Sequence, residues 1–427
     1  MASNVVDFAE AERAPRSSHA PRVLIYSHDT FGLGHIRRCR AIANALVANY
    51  RHISVIIVSG SSVISSFQFG DGVDYVRIPG IEKHGDGNYD PHHLNLDLAD
   101  TIRLRTDIIK QVALSFDPDV VIVDKEPLGL RGEFAPALDI LRRRGARIVL
   151  GLRDVLDEPA KLHEEWRHNG ALHALDHHYD DIFVYGLESV YRPLGGLPNQ
   201  HLFADKIRYT GYLKRAVPSP MPPSRFPRIT KDPFVLVTPG GGGDGAGVID
   251  WVISAYEADS TIPLPALIVF GPFLSRERRK GFAERIARNP KLESLGFEPR
   301  LELLMNRAHC VVAMGGYNTF CEVLSFDKPA LIVPRVKPRL EQAIRAERAE
   351  ELKLITVLHD PSQLGAAERD PLVMAAALHA LPQQPPPSQA FLPSLLDGLP
   401  AISRALAANL STPVRTRVHG QNTAVTS

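Results

Sequence analysis

The chain has 427 residues, 44% of them hydrophobic and 23% charged, with 31 Gly, 34 Pro and only 3 Cys. This composition excludes a disordered chain and a disulfide scaffold, and the length exceeds what one hydrophobic core usually serves, so two domains are expected. Against 48 acidic residues stand 49 basic ones, a net charge of +1, which excludes a global pull toward nucleic acid or an anionic membrane; any basic site is local.

Cys39, Cys310 and Cys321 are odd in number and form no CxxC pair. They fit a reducing, cytoplasmic location and provide neither a zinc site nor a disulfide framework. The first residues carry acids and lack the apolar core of a signal peptide. No run of about 18 apolar residues occurs, so no transmembrane segment is expected.

In chain order, residues 1–20 are polar and aperiodic and read as a flexible arm. From Pro21, short β-branched runs alternate with helical-period stretches: Val23 to Ser27, Ser54 to Ser59, Val120 to Asp124, Arg147 to Arg153 and Asp181 to Gly186. Strand and helix in alternation imply parallel strands joined by crossover helices, buried on both faces. Residues 21–215 thus form a first doubly wound α/β domain. A proline-rich connector, 216–232, contains Pro218, Pro220, Pro222, Pro223 and Pro227 and is stiff by composition. A second series of strands, starting near Phe234, Ala266, Cys310, Pro329 and Leu354, makes 233–381 a second doubly wound domain in tandem. Residues 382–410 combine a proline-rich piece with a helical-period segment, and 411–427 read as a disordered tail.

Three glycine-bearing turns follow strands. In FGLGHIRR, Gly32 and Gly34 let the backbone turn closely, and His35, Arg37 and Arg38 enter the next helix. Arginines in a first turn oppose the helix dipole, a conflict that a local anion relieves, although solvent-facing arginines cost only a few tenths of a kcal/mol there. In TPGGGGDGAG, Gly241 and Gly242 lie within four consecutive glycines between a strand and a helix, a costly choice for a mere surface loop. In AMGGYNTFCE, Gly315 and Gly316 end a strand, and Asn318 and Thr319 open a helix whose N–H groups suit a diphosphate. Glu322 lies one turn beyond Asn318 and offers a carboxylate to vicinal ribose hydroxyls; the bland alternative is a solvated helical acid. Arg335, Lys337 and Arg339 then crowd a loop, followed by Glu341 and Gln342 at the next helix start.

GGYNTFCEVLSFDKPALIVPR followed by RLEQ resembles the donor-binding half of GT-B glycosyltransferases, most closely the MurG-type enzymes that transfer GlcNAc from UDP-GlcNAc. The other two glycine turns resemble that family's remaining glycine-rich loops. The first reads FGLGH rather than GGxGGH, and Glu341-Gln342 stands where MurG-type enzymes carry a glutamine pair. The resemblance implies two Rossmann-like domains around a cleft. It places Gly315, Gly316, Asn318 and Thr319 on the diphosphate, Glu322 on the ribose, and Glu341 and Gln342 on the donor sugar, with inversion at the anomeric carbon.

Other polar clusters have plainer readings. FDPD, Phe116 to Asp119, is a strand-entry turn rather than a metal motif, and DHHYDD, Asp176 to Asp181, suits a helix C-terminus. The long polar loop Glu82 to His93 is a candidate acceptor loop. Asp124, Lys125 and Glu126 end a strand and face the same crevice.

The expected function is glycosyl transfer from a nucleotide-diphosphate sugar, a UDP-sugar by resemblance, to an acceptor hydroxyl, without metal or other cofactor. His35 is the first candidate base, since an imidazole pKa near 6.5 suits a proton acceptor at neutral pH; Asp29 and Glu126 are the reserves. Gly241, Gly242 and Arg335 join the donor site, and Gly32, Gly34, Arg37 and Arg38 the acceptor side. The acceptor is a carbohydrate or a lipid-linked molecule. The latter requires peripheral contact with the inner face of a membrane, which no strongly basic amphipathic helix announces. A non-hydrolysing nucleotide-sugar epimerase and a non-catalytic nucleotide-sugar-binding protein are the alternatives.

Overall fold

A computed structural model describes residues 20–28, 33–83, 89–217, 226–240, 243–365 and 368–411. Residues 1–19 of the expected arm, 218–225 of the proline-rich connector, 412–427 of the expected tail, and Asp29, Gly32, Gly241 and Gly242 lie outside them.

The first half of the chain contains β1 (Arg22–Ser27), α1 (Gly34–Asn49), β2 (Ser54–Ser59), β3 (Val73–Arg77), β4 (Ile81–Lys83), β5 (Tyr89–Pro91), α2 (Leu98–Phe116), β6 (Val120–Asp124), α3 (Ala135–Arg143), β7 (Arg147–Arg153), α4 (Pro159–His168), α5 (Ala171–His177), β8 (Asp181–Tyr185) and β9 (Ile207–Tyr209). Seven of these strands form one parallel sheet in the order β3-β2-β1-β6-β7-β8-β9. Residues of β6 are buried throughout, as the near-continuous apolar run VVIVD demands of a strand covered on both faces. Helix α1 buries Ile36, Cys39, Ile42, Ala43 and Leu46, one stripe at helical spacing. Within the loop read as purely polar, β4 and β5 pair as an antiparallel hairpin.

The second half contains β10 (Val235–Thr238), α6 (Ala246–Ala258), β11 (Ala266–Val269), α7 (Arg276–Ile286), β12 (Leu292–Leu295), α8 (Leu301–Arg307), β13 (Cys310–Ala313), α9 (Tyr317–Ser325), β14 (Ala330–Ile332), α10 (Glu341–Glu351), β15 (Thr356–Val357), α11 (Pro371–Ala380) and α12 (Gly398–Leu410). Its parallel sheet runs β12-β11-β10-β13-β14-β15. The edge strand β12, of sequence LESL, is too short and too polar to announce itself by periodicity.

Each sheet reverses its strand order once, between β1 and β6 in the first and between β10 and β13 in the second. Open α/β sheets place ligands in the crevice beyond the carboxyl ends of strands at such a reversal. The turns after β1, β6, β10 and β13 lie at these points, and Arg335, Glu341 and Gln342 follow the neighbouring strand β14. One apolar cluster joins the two halves, including Ile36 and Cys39 of α1, Tyr212 and Leu213 after β9, and Tyr317 and Phe320 of α9.

Helix α12 returns to the first domain. Asn49 donates to Ser403 Oγ at 2.9 Å, Tyr50 to the Ser403 carbonyl at 2.6 Å, and Arg147 to Asn409 Oδ1 at 2.9 Å. The crossing where this segment meets the end of the first domain needs glycine. A Cβ on Gly398 would lie 2.5 Å from the Gly211 carbonyl oxygen.

Candidate active site between the domains

The N-termini of α1 and α9 meet across a cleft of about 210 Å³. Neither N-cap residue, Leu33 nor Gly316, caps its helix through a side chain, and the positive dipole ends of both helices point toward the same space. The Asn318 amide donates to the Gly34 carbonyl at 2.8 Å, and Arg215 donates to Asn318 Oδ1 at 2.6 Å. The side chain expected to hold a diphosphate is therefore committed to the domain contact. At the start of α9, Gly316, Tyr317, Asn318 and Thr319 all line the cleft.

His35, on the first turn of α1, bonds through Nδ1 to Asp124 at the end of β6. Arg38 grips the same carboxylate with both arms of its fork, Nε to Oδ1 and Nη2 to Oδ2, each at 2.7 Å. Burial raises the Asp124 carboxyl pKa, but the Arg38 guanidinium and His35 overcome it and hold the group well below the usual carboxylate range. An ionised carboxylate at Nδ1 orients the imidazole and favours the tautomer with its proton on that nitrogen. The sequence placed His35 and Asp124 at one crevice; their direct pairing was not foreseen. The signal was available, because β1 and β6 are neighbours at the reversal point and both residues follow their carboxyl ends.

Arg37 and Arg38, the cations in the first turn, both find anions, and the anions belong to the protein. Arg38 takes Asp124, while Arg37 bonds Glu322 and lies 3.3 Å from Glu302 Oε1, which Arg40 also approaches at 3.4 Å. Protein carboxylates thus relieve the conflict with the helix dipole, and both arginines still line the cleft. Glu322 is fully buried. Its Oε2 has no hydrogen-bond partner, and burial, with Glu302 nearby, raises its pKa despite Arg37. The solvated-acid alternative for Glu322 is thereby ruled out.

Glu126, a reserve base, is tied to Lys125 at 2.5 Å. Burial pushes its carboxyl up, but Lys125 and His28 pull it well below the ordinary range, which makes it a poor proton acceptor. His28 beside it is buried with an unpartnered Nδ1, and burial keeps its pKa well below 6.5.

On the donor side, Arg335 donates to Asp244 at 2.7 Å and to Glu341 at 3.0 Å, and Arg153 reaches Glu341 from the first domain at 3.4 Å. Against the upward push of burial, Arg153 and Arg335 hold the Glu341 pKa down to about 2. Gln342 Oε1 accepts from the Arg335 backbone N–H at 3.3 Å. Arg335, Glu341 and Gln342 all line the cleft, as do Gly34, His35, Arg37 and Arg38. Gly315 lies just behind it with φ +76°, and a Cβ there would sit 2.7 Å from Ile332 Cγ2. The wall also includes Asp244 and the loop Phe297, Glu298 and Pro299, none of which was anticipated as a site residue. FDPD and DHHYDD play no part in this cleft, and among the described residues no cluster of His, Cys, Asp or Glu is grouped to hold a metal.

Residues 236–359 match the glycosyltransferase family 28 C-terminal domain. No curated protein matches the chain by sequence. Solved structures similar to it include LpCGTa in complex with UDP, at 13% identity over 92% of this chain and 96% of that one, with a TM-score of 0.58. UGT2 of Phytolacca americana, complexed with UDP-2fluoro-glucose and pterostilbene, is 15% identical over 92% and 95% with a TM-score of 0.56. A putative UDP-N-acetylglucosamine 2-epimerase from Listeria monocytogenes is 12% identical over 91% and 95%, also with a TM-score of 0.56. At such identities the likeness is one of fold, the GT-B arrangement of two Rossmann-like domains facing across a cleft. The family 28 match, confined to residues 236–359, together with the GT-B fold supports a glycosyltransferase.

Proposed function

We propose that the chain transfers a sugar from a nucleoside-diphosphate sugar held by the second domain to an acceptor hydroxyl presented by the first. The observation that carries this reading is the meeting of the α1 and α9 N-termini at one cleft, with the His35–Asp124 pair on one wall and the Gly316 to Thr319 helix start on the other. A diphosphate at α9 sits on N–H groups and a positive dipole end that stabilise charge as it develops on the leaving group. The α1 dipole, aimed into the same space, adds to that field.

In the reaction the acceptor oxygen forms a bond to the anomeric carbon as the bond from that carbon to the phosphate oxygen breaks. The hydroxyl proton passes to His35 Nε2, and the nucleoside diphosphate departs with the bonding electrons. Asp124 keeps the imidazole aligned and stabilises the imidazolium that forms. By resemblance the displacement inverts the anomeric centre, the donor is UDP-GlcNAc or a close relative, Glu341 and Gln342 meet the donor sugar, and Glu322 meets the ribose. The unpartnered buried Oε2 of Glu322 supports that last role, since a ribose hydroxyl would satisfy it. Because Glu322 has no exposed surface, a ribose reaches Oε2 only after neighbouring side chains move aside.

Thermal shift with UDP, GDP, ADP, dTDP and their common sugar conjugates, with and without Mg²⁺, tests the donor site. A ligand at about a hundred times its Kd adds roughly 2.7 kcal/mol to the state that binds it. One nucleotide family shifting the melt, equally in EDTA, is the expected result, with Glu322→Ala weakening it. No shift with any nucleotide refutes the donor site.

A further inference from the structure

Behind the cleft, a row of buried side chains crosses from one domain to the other. Asp154, at the end of β7, accepts from Arg345 on α10, with Nη2 to Oδ1 at 2.5 Å and Nε to Oδ2 at 2.8 Å. The same guanidinium donates through Nη1 to the Gly315 carbonyl at 3.0 Å. It also lies over the Tyr317 ring, 5.8 Å from the centroid, and Arg38 lies over that ring at 5.5 Å. Asp124, Arg38, Tyr317, Arg345 and Asp154 are all at most 3% exposed. The row therefore runs from the carboxylate that orients His35 to the peptide preceding the α9 N-terminus.

This arrangement is asymmetric. Arg38 has its carboxylate on its own domain, whereas the carboxylate that neutralises Arg345 comes from the opposite one. An arginine this deeply buried is held in one geometry only while its counter-ion is present, because an unpaired buried charge is strongly unfavourable. Gly315 is the residue whose left-handed φ sets the turn into α9, and its carbonyl is fixed by Arg345. The geometry of the diphosphate turn thus depends on a residue of the first domain that does not line the cleft.

We propose that Asp154 is a positioning residue for the nucleotide site: acting from the first domain through Arg345 and Tyr317, it holds the Gly315 to Gly316 turn in its binding geometry when the domains are closed. This inference rests on the donor site proposed above and adds the device that completes it. Donor affinity is then a property of the closed two-domain unit rather than of the second domain alone.

The test is the Kd of the nucleoside diphosphate, UDP in the first instance, by calorimetry on the full chain. Asp154→Asn is compared with Asp181→Asn, which removes a similarly buried carboxylate, paired with the more exposed Arg147 and Arg208, at the opposite, amino end of the same sheet. The expected result is at least a tenfold loss of affinity in Asp154→Asn and none in Asp181→Asn, even though both lower the melting temperature. Equal affinity in Asp154→Asn and the unaltered protein overturns the inference, as does an equal loss in both variants. If Asp154→Asn does not fold, Arg345→Lys keeps the charge but loses the fork; the same tenfold loss is expected, and parental affinity overturns the proposal. Failure of the unaltered protein to bind any nucleoside diphosphate is a different outcome, which refutes the donor site itself and the inference with it.

Discussion

Adjacent glycines at the α9 entrance are expected to respond differently to the same substitution. Gly315 has φ +76°, and an added Cβ meets Ile332 Cγ2 at 2.7 Å. A left-handed backbone costs an alanine about 1–2 kcal/mol, and forcing a methyl into packed surroundings costs about 1–3 kcal/mol. The lower entropy of the unfolded chain returns about 0.4–1 kcal/mol. Gly315→Ala should therefore lose about 2–4 kcal/mol, a fall in melting temperature on the order of 5–15 °C for a domain of this size. Gly316 has φ −58°, and nothing lies within 4 Å of its Cβ position. At a helix N-cap the alanine is somewhat worse than glycine, and the entropy term cancels most of that, so stability should hardly change. The added methyl nevertheless stands where a phosphate approaches the helix start, and a tenfold loss of nucleotide affinity, about 1.4 kcal/mol, is expected. Thermal melts of both variants with and without UDP separate the two effects. A parental melting temperature for Gly315→Ala, or parental UDP affinity for Gly316→Ala, would refute the reasoning.

Replacing His35 with Ala should lower turnover at least a hundredfold while leaving nucleotide affinity intact, and Asp124→Asn should fall between the two; unchanged turnover in rate assays would remove the base assignment. Arg37→Met leaves Glu322 buried beside Glu302 without its cation and should cost about 3–5 kcal/mol in denaturant unfolding, much of it recovered in the double variant with Glu322→Gln. Additive losses in that cycle would contradict the pairing. His28, kept neutral by burial, contributes stability that is complete above pH 6.5 and is lost as the pH falls below it, because the unfolded chain takes up the proton first. Melting curves from pH 7.5 to 5 should show a shallower decline for His28→Gln than for the parent, and identical slopes would count against a neutral buried His28.

Much of the architecture was legible in the sequence because parallel strands covered on both faces are written as uninterrupted β-branched runs. Ser54 to Ser59, Val120 to Asp124 and Arg147 to Arg153 coincide with their observed strands. The β4–β5 hairpin and β12 escaped notice because short strands with exposed or polar residues carry no clear period. Most residues singled out for the site converge on the cleft because each follows the carboxyl end of a parallel strand. What sequence spacing could not show was how charges pair across the domains. Arg37 and Glu322 lie 285 residues apart and Asp154 and Arg345 lie 191 apart, and only the closed fold brings them together. Hence Arg37 and Asn318, read as ligand contacts from their helix-start positions, also bind the other domain while lining the cleft.

The most direct test of the central claim is to incubate the protein with the nucleotide sugar selected by thermal shift and a panel of carbohydrate and lipid-linked acceptors, and to follow both halves of the donor by mass spectrometry. Free nucleoside diphosphate in equal amount to sugar newly attached to an acceptor is expected, with both signals lost in His35→Ala. Recovery of the donor as an epimer, or of intact donor alongside demonstrated binding, would contradict it.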